Sequence, residues 1–498
     1  MSAPPSEALS ADQGATRRLV ARNTLYLTLS QVATVPISVL LNGMMARYLG
    51  AEAFGYLYVA GTFAAFGTLA VGWGHDGVLP AKIAQDRTLA GTLLGTSFAW
   101  RAGAAVVVYL IMVLICRALG YDGEMQWALG LTFLGAVLSL FVAACKDTIR
   151  GFERADIPAI AHVGQQLLIL SLVVPVLVLG GGMRSVLLVG AIAIAIVLFF
   201  MVRSLRSVGL RQVSFESTAF KALFIGGVPF VVGGLTMALQ PIIDAIFLSK
   251  LGSFEAVGWF AAARKLVGLL LFPATALIGA LYPTLCRLWA TDKDEFARTT
   301  KGSLHSVALL VVPVALGCGL YPDLGIAIFS KEAFGPAADD LRVLAVFVFL
   351  VYFSMPLGTC IMAAGKQRAW SVVQSLCLLV SLALDPLLIP WFERKFHNGG
   401  LGPCVAAVVS EVLVVAGGVW LIPRGIFDRA FLRSLFHTSL AGVGMAGVAY
   451  LLRSINPFFA APVAVLTYGV GLLLTGEITQ GQIAQLRGII TRRLSRAR

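Results

Sequence analysis

Apolar segments of about 17–25 residues, each close to the ~20 that a helix needs to cross hydrocarbon, follow one another along almost the whole chain. There are about fourteen of them in 498 residues. They cover residues 24–46, 54–73 (with an extension towards 80), 102–119, 127–144, 160–180 and 185–202. A second series covers 222–248, 256–281, 304–320, 344–363, 371–389 and 400–421, and two more, 435–452 and 459–476, close the chain. With a mean hydropathy of +0.87, 58% apolar and 13% charged residues, little sequence remains for a soluble domain. The fold class is therefore an all-α polytopic membrane protein, and most enzyme classes are excluded before any motif is sought.

The net charge of +13 is a statement about topology. When the loops are assigned alternately to two sides, one side collects Arg17, Arg18, Arg22, Lys82, Arg87, Arg101, Lys146, Arg150 and Arg154. It continues through Arg211, Arg298, Arg424 and Arg433 to Arg487, Arg492, Arg493, Arg496 and Arg498. That side holds 27 of the 38 Lys and Arg residues, the other holds 9, and two lie inside a span. Short loops obey the positive-inside rule, so both termini are expected in the cytoplasm and the number of spans is even. Anionic phospholipids are the expected partner of this charge, and no nucleic acid is. The first apolar run is longer than a signal-peptide core and is expected to remain as helix one. The seven cysteines show no CxxC or Cys/His metal spacing and read as small apolar residues.

An internal repeat organises the series. Leu49-Gly50-Ala51-Glu52-Ala53-Phe54-Gly55-Tyr56 recurs, one residue longer, as Leu251-Gly252-Ser253-Phe254-Glu255-Ala256-Val257-Gly258-Trp259. Asn42 and Asp244 precede the two Leu-Gly glycines at equal distance, and Pro80 and Pro283 follow the second glycines at equal distance. Each copy sits in the short outer loop between the first two helices of a six-helix series. Six is even, so the halves enter the membrane in the same orientation, as parallel repeats about an axis along the membrane normal. The expected domains are a tail 1–23, an N-lobe 24–211, a C-lobe 212–425, two further helices 426–476 and a basic tail 477–498. Two facing bundles imply a central cleft and rocking-type alternating access.

The residues Asn42-Gly43-Met44-Met45-Ala46-Arg47-Tyr48-Leu49-Gly50, then Glu52-Ala53-Phe54-Gly55, resemble the opening of Wzx-type polysaccharide flippases of the multidrug/oligosaccharidyl-lipid/polysaccharide exporter superfamily. Pro229, Ile243-Asp244, Gly258 to Leu266 and Leu281-Tyr282-Pro283 carry the resemblance into the second half. Ile328 to Phe334, with Ala337-Ala338 and Leu341, are a third match. The resemblance covers roughly residues 20–425 and implies two six-helix lobes around a V-shaped cavity in a bacterial cytoplasmic membrane. It implies transfer of an undecaprenyl-pyrophosphate-linked oligosaccharide to the outer leaflet for exopolysaccharide, O-antigen or capsule synthesis. Polysaccharide polymerase and glycosyltransferases are then further partners. The last two helices, outside the repeat, are expected to offer a groove for the polyprenyl tail.

A charge inside hydrocarbon costs at least ~2.5–3.5 kcal/mol and usually faces a cavity or a partner. Arg264 and Lys265, a few residues into the eighth span, are about 100° apart on a helix, so at least one is expected to face the cavity. A guanidinium fork suits a pyrophosphate. Asp244 either forms an ion pair with Arg264 or Lys265 or binds a coupling H⁺ or Na⁺; its repeat equivalent is Asn42, a candidate for sugar contact. Arg47 is an outer-interface anchor or a ligand. His75 and Asp76, near the inner end of the second span, are a buried pair or loop residues. Arg101 is expected to open the third span as an inner anchor or a first pyrophosphate contact. Asp385 and Glu411 are further candidates for ion coupling, and Gln31, Gln165, Gln166 and Gln240 bond sugar hydroxyls or neighbouring helices.

Ala364-Gly365-Lys366-Gln367 lacks the Ser/Thr and first glycine of a P-loop, so no nucleotide cofactor is expected and an H⁺ or Na⁺ gradient, the membrane potential or substrate consumption must drive transport. No nucleophile–base constellation is present, and the protein is not expected to be an enzyme. The readings that compete are a lipid II flippase, an ion-coupled multidrug exporter of the same superfamily and, from another class, a membrane glycosyltransferase or polymerase. The charge asymmetry makes the topology testable. Reporter fusions after Arg211 and Arg433 should score as cytoplasmic and fusions near Asn398 and Arg453 as external; reversed signals at most of these points would overturn the orientation.

Overall fold

The computed structural model describes residues 5–210, 212–329, 332–422, 426–452, 454 and 456–477, with the side chains of 5–21 and of a few scattered positions excluded. Ser330, Lys331, Arg211, Arg424, Arg453 and the basic residues of 478–498 lie outside the described residues. The described residues form sixteen α-helices and two short 3-10 turns and contain no strand. Hydrocarbon dictates this, because a helix satisfies its own backbone polar groups where no water can. Among the described residues eleven stretches are long and apolar enough to cross a membrane, against about fourteen expected. The difference falls in three places. The stretch Arg22–Gln85 is 64 residues long, and the apolar parts Ser217–Val231 and Phe459–Leu474 are shorter. Large exposed apolar side chains such as Leu114, Phe199, Trp420 and Leu474 line the helices, as lipid-facing positions should.

The chain divides into two compact units, residues 1–258 and 259–498. In the first, α1 (Pro5–Gly72) bends at Gly50, whose φ of 83° and ψ of 175° place it where a Cβ would be strained. This is the Leu-Gly turn of the first repeat. At Trp73 and Gly74, both left-handed (φ 46° and 66°), the chain breaks again and restarts as α2 (His75–Gln85). There follow α3 (Ala90–Ala118), α4 (Gly123–Gly151), α5 (Asp156–Val178), α6 (Met183–Ser204) and α7 (Ser217–Leu251). The Asp122 carboxylate caps α4 by accepting from Met125 N at 2.9 Å. The core of this unit joins Leu79 and Ile83 of α2, Leu94 of α3, Ile149 of α4 and Met201 of α6.

Two departures from the sequence expectation matter. Helix α4 continues through Gly151, so Lys146, Asp147 and Arg150 stand on its last turns and not in a loop. Arg101 lies inside α3, eleven residues after its first residue, and not at a helix start. Ahead of α7 the chain runs extended along α3. Ser214 N donates to Gly91 O at 3.4 Å and Glu216 N to Thr96 Oγ1 at 3.2 Å. A Cβ on Gly91 or Gly95 would fall 2.5 or 2.4 Å from a carbonyl of this strap.

The division between the units falls inside α8 (Phe254–Leu270). The single expected span 256–281 is in fact two helices, because α8 stops and α9 (Phe272–Thr291) begins after Leu271 with Pro273 in its first turn. The second unit continues with α10 (Lys293–Leu320), the short α11 (Pro322–Ile326), α12 (Ala337–Ala363), α13 (Gln367–Phe396) and α14 (Leu401–Leu421). It ends with α15 (Arg429–Leu451) and α16 (Pro457–Leu474). Helix α14 packs between α12 and α13, and α15 packs on α16 and α10.

The second glycine of each repeat copy sits in close packing. A Cβ on Gly55 would lie 2.0 Å from Phe254 O, and one on Gly258 would lie 2.0 Å from Ala51 O. Gly61, in the same limb of α1 as Gly55, has nothing within 4 Å of such an atom. Gly258→Ala should therefore destabilise the protein by about 1–3 kcal/mol, whereas Gly61→Ala should be neutral or stabilise it by up to about 1 kcal/mol. Thermal unfolding in detergent would check this, and equal effects would contradict the packing.

Candidate functional site

Arg264 and Lys265 occupy the third turn of α8. The Arg264 guanidinium stands 5.3 Å from the ring of Phe260, one turn earlier on α8, and 5.3 Å from that of Phe347 on α12. An arginine beside aromatic faces keeps its charge in a place of low polarity. Glu411 of α14 is within its electrostatic reach, and the Ser354 hydroxyl of α12 donates to the Glu411 carboxylate. Tyr352 Oη, also on α12, donates to Leu270 O at 2.6 Å and so ties α12 to the end of α8. Lys265 is exposed. Four residues from three helices thus surround one cation. Asp385, on α13, is fully buried.

In the first unit the predicted residues are more dispersed. Asp244 is buried on α7. Asn42 turns its amide onto its own helix, donating to Ser38 O at 2.7 Å. Arg47 and Gln31 are exposed and Gln240 is half-buried. Asp76 is exposed in the first turn of α2, whereas His75 beside it is buried. Of the two readings of this pair, neither holds for both residues, because the start of α2 turns them to opposite environments. Arg101 is 1% exposed and donates through Nη1 to Leu140 O. An incoming headgroup does not reach a side chain so enclosed, which corrects its reading as an interface anchor or first contact.

Helix α7 and the start of α8 are held against α1–α4 at two levels. At one, the Tyr56 and Phe254 rings stack with centroids 3.8 Å apart, and Tyr56 Oη donates to Asp122 Oδ2 at 2.8 Å. Beside them Tyr121 Oη and Ser249 Oγ are 2.6 Å apart, and Lys250 Nζ lies 3.6 Å from the Tyr121 ring. Burial pushes the Tyr121 hydroxyl up to about 12, so it stays protonated. At the other level Trp73 stacks on Phe224 at 4.6 Å and its indole donates to Phe224 O at 3.0 Å. A Cβ on Gly74 or Gly77 would there meet Gly227 or Phe230 within 2.6 Å. The two repeat turns therefore touch each other through Gly55, Gly258 and Ala51.

Sequence reasoning missed Asp147, Phe260, Phe347 and Ser354. Asp147 had a signal: Cys145, Thr148 and Ile149 prolong the helical pattern of α4 past residue 144 and turn Asp147 inward with them. Nothing in one sequence places Phe347 or Ser354 beside a residue of α8 or α14.

A family model described as polysaccharide biosynthesis protein matches residues 20–289. A probable lipid II flippase MurJ of Bdellovibrio bacteriovorus is 27% identical over 278 residues, 53% of this chain and 52% of that one. A putative O-antigen transporter of Shigella flexneri is 24% identical over 213 residues, 43% and 49% of the two chains. A probable flippase AglR of Haloferax volcanii is 22% identical over 242 residues, 48% of each. The chain spans about half the length of these curated relatives. Among solved structures, the inward closed conformation of lipid II flippase MurJ aligns with a TM-score of 0.69 at 13% identity, over 91% of this chain and 98% of that one. An inward-facing MATE family multidrug transporter of the MOP superfamily aligns with a TM-score of 0.65 at 16% identity, over 78% and 94%. At such identities the likeness shows the fold. The touching repeat turns predict that Ala51→Cys and Ser253→Cys are joined by a short thiol-reactive cross-linker, seen as protection of both thiols from later labelling. Full labelling of both after treatment would contradict the contact.

Proposed function

Because the chain belongs to the polysaccharide biosynthesis protein family, we propose that it is a flippase that carries a polyprenyl-pyrophosphate-linked oligosaccharide from the inner to the outer leaflet of the cytoplasmic membrane. The observation that carries this reading is the Arg264 guanidinium held between Phe260 and Phe347 inside an apolar helix bundle, with Lys265 exposed beside it. A cation placed there at the cost of desolvation suits an anionic headgroup, and a pyrophosphate offers the paired oxygens that a guanidinium fork binds best. Glu411, bonded to Ser354, balances the charge while the cargo is away. A multidrug exporter for cations would gain nothing from this pair.

The polar head cannot cross bare hydrocarbon, because each unsatisfied polar group costs several kcal/mol. Alternating access between an N-lobe (24–211) and a C-lobe (212–425) supplies a hydrated path, and the tail stays in lipid. Asn42, Arg47, Gln31 and Gln240 are then secondary contacts for the head, and Asp244, Asp76, Asp385 and Glu411 are candidates for ion coupling. The charge asymmetry supports a cytoplasmic position for both termini.

Arg264→Ala with Lys265→Ala should abolish transfer of a fluorescent polyprenyl-pyrophosphate sugar between the leaflets of proteoliposomes at native protein yield. Loss of a charge-assisted phosphate contact costs on the order of 1.5–3 kcal/mol, and Arg264→Lys should recover only part of it. Unimpaired transfer by the double variant would refute the site. Transfer of lipid II in preference to oligosaccharide-bearing lipids would replace the cargo with that relative.

A further inference from the structure

The end of α16 returns to the bundle through a turn that its sequence dictates. Gly476 is left-handed, with a φ of 75°. Its N donates to Leu473 O at 3.3 Å and Glu477 N donates to Leu472 O at 3.1 Å, the pairing that closes a helix on a left-handed glycine. The turn sets Glu477 against α15 and α10, with its side chain 11% exposed. Glu477 Oε2 accepts from Ser434 Oγ of α15 at 2.6 Å, and Oε1 lies 2.9 Å from Nδ1 of His437, three residues further along the same helix. Ser434 Oγ also lies 2.7 Å from Nδ1 of His305 on α10. One carboxylate, one hydroxyl and two imidazoles thus join α10, α15 and the end of α16.

The donors and acceptors fix where the protons sit. An ionised carboxylate only accepts, so His437 Nδ1 carries a proton and donates it to Glu477. The single hydroxyl proton of Ser434 goes to Glu477, so Ser434 accepts from His305 Nδ1. In each imidazole Nε2 is then the nitrogen that can take up a further proton. The His305 and His437 side chains are 32% and 23% exposed, within reach of water. Other charged and titratable groups stand around the cluster. On α10, one turn before His305, Lys301 is paired with Asp428, which precedes α15. Arg433 of α15 is exposed, and Tyr468 of α16 donates to Leu309 O at 2.9 Å. On the other flanks of α10, α9 carries exposed Arg287, and α12 carries Cys360, whose thiol donates to Thr300 Oγ1 at 3.3 Å. No group of three ligands set for a metal ion occurs among the described residues.

We propose that His437 is a proton-binding site and that the proton it takes up clasps α15 and α16 to α10. A proton from the aqueous phase adds to Nε2 of His437, and no other bond is made or broken. The imidazolium then forms an ion pair with a nearly enclosed carboxylate whose other donor is a neutral hydroxyl. When the proton leaves, Glu477 stays behind as an enclosed charge with neutral donors, which is strongly unfavourable. It must then move towards water. Because it holds Ser434, and through Ser434 holds His305, the end of α16 slackens from α15 and α10 together. Imidazole is the side chain whose charge ordinarily changes between about pH 5 and 8, so the clasp is closed at the acid end of that range and loosened at the alkaline end. Further along, α10, α12 and α15 enclose an apolar cavity of about 460 Å³ whose lining includes Val312, Leu316, Phe349, Gly442 and Val443. The clasp governs how firmly the α15 wall of that cavity is held. None of this depends on the flippase reading.

Spin labels at Ser306→Cys on α10 and Leu474→Cys at the end of α16, both exposed positions, read the clasp in full-length protein without its native cysteines, with and without EDTA. Between about pH 5 and 8 the distance should lengthen by on the order of 5 Å, the scale of one helical turn. His437→Gln, which keeps a donor but cannot gain a charge, should show the long distance at every pH. Glu477→Gln, which leaves no charge to strand, should show no pH dependence and covers the case in which His437→Gln fails to fold. His305→Gln should keep the pH dependence, because His305 bonds to Ser434 and stands 3.8 Å from the carboxylate. An unchanged distance in the wild type, a His437→Gln or Glu477→Gln variant that follows the wild-type curve, or a flat curve for His305→Gln would overturn the proposal. A pH dependence that vanishes with EDTA would also overturn it, because the ligand would then be a metal ion.

Discussion

In hydrocarbon a peptide group without its hydrogen-bond partner costs several kcal/mol, so a helix that breaks inside the bilayer needs a donor or acceptor from elsewhere. Near two prolines and at one helix end, a side chain from elsewhere donates to a helix carbonyl. Pro229 cannot donate to the carbonyl of Ile225 in α7, and the Trp73 indole bonds to the neighbouring carbonyl, that of Phe224. Pro273 cannot donate to the carbonyl of Leu269 at the end of α8, and the Tyr352 hydroxyl bonds to the neighbouring carbonyl, that of Leu270. Lys366 does the same for the end of α14 through Leu421 O, at 2.7 Å. These bonds tie irregular points of the backbone to side chains from elsewhere in the fold. They also explain why broken helices coincide with the polar chemistry: a break exposes carbonyls, attracts donors and brings neighbouring side chains inward.

The architecture was readable because bilayer thickness sets a single length scale, and apolar runs of that length are visible in any one sequence. What hydropathy does not report is where a long apolar run changes direction. Residues 256–281 look like one span, but Pro273 at a helix start makes them two. Residues 145–151 look like a basic loop after an apolar span. Yet Cys145, Thr148 and Ile149 face inward, and the charged residues ride on the same helix. The site was legible by halves. Arg264 stood out as an expensive charge, while its second aromatic flank, Phe347, and the Ser354–Glu411 pair come from helices about 80 to 150 residues further on, beyond the reach of any local periodicity. Arg101 misled for a related reason: an arginine beside a tryptophan at an apparent helix start has the look of an interfacial anchor, and only the neighbouring helices reveal that it is enclosed.

Buried charge is distributed unevenly between the two units. In the second, the cation has aromatic faces and a carboxylate that is itself bonded to a hydroxyl, an arrangement that can exchange partners without leaving any group bare. In the first, buried Arg101 has a backbone carbonyl, Leu140 O, as its acceptor, and buried Asp147 is paired with the half-exposed Arg150. Environments of the first kind suit a ligand that comes and goes, because the resting site is already satisfied. Environments of the second kind are sensitive to the loss of one elementary charge.

The two Leu-Gly turns are alike in sequence and unlike in backbone. Gly50 has a φ of 83°, a conformation that excludes almost every other residue, whereas Gly252 has a φ of −120° and a ψ of −152°, extended backbone open to any side chain. The same two letters therefore answer to a stereochemical demand in one copy and to none of that kind in the other. The second turn, free of that backbone constraint, is the one of the two where a side chain could be introduced without strain in φ.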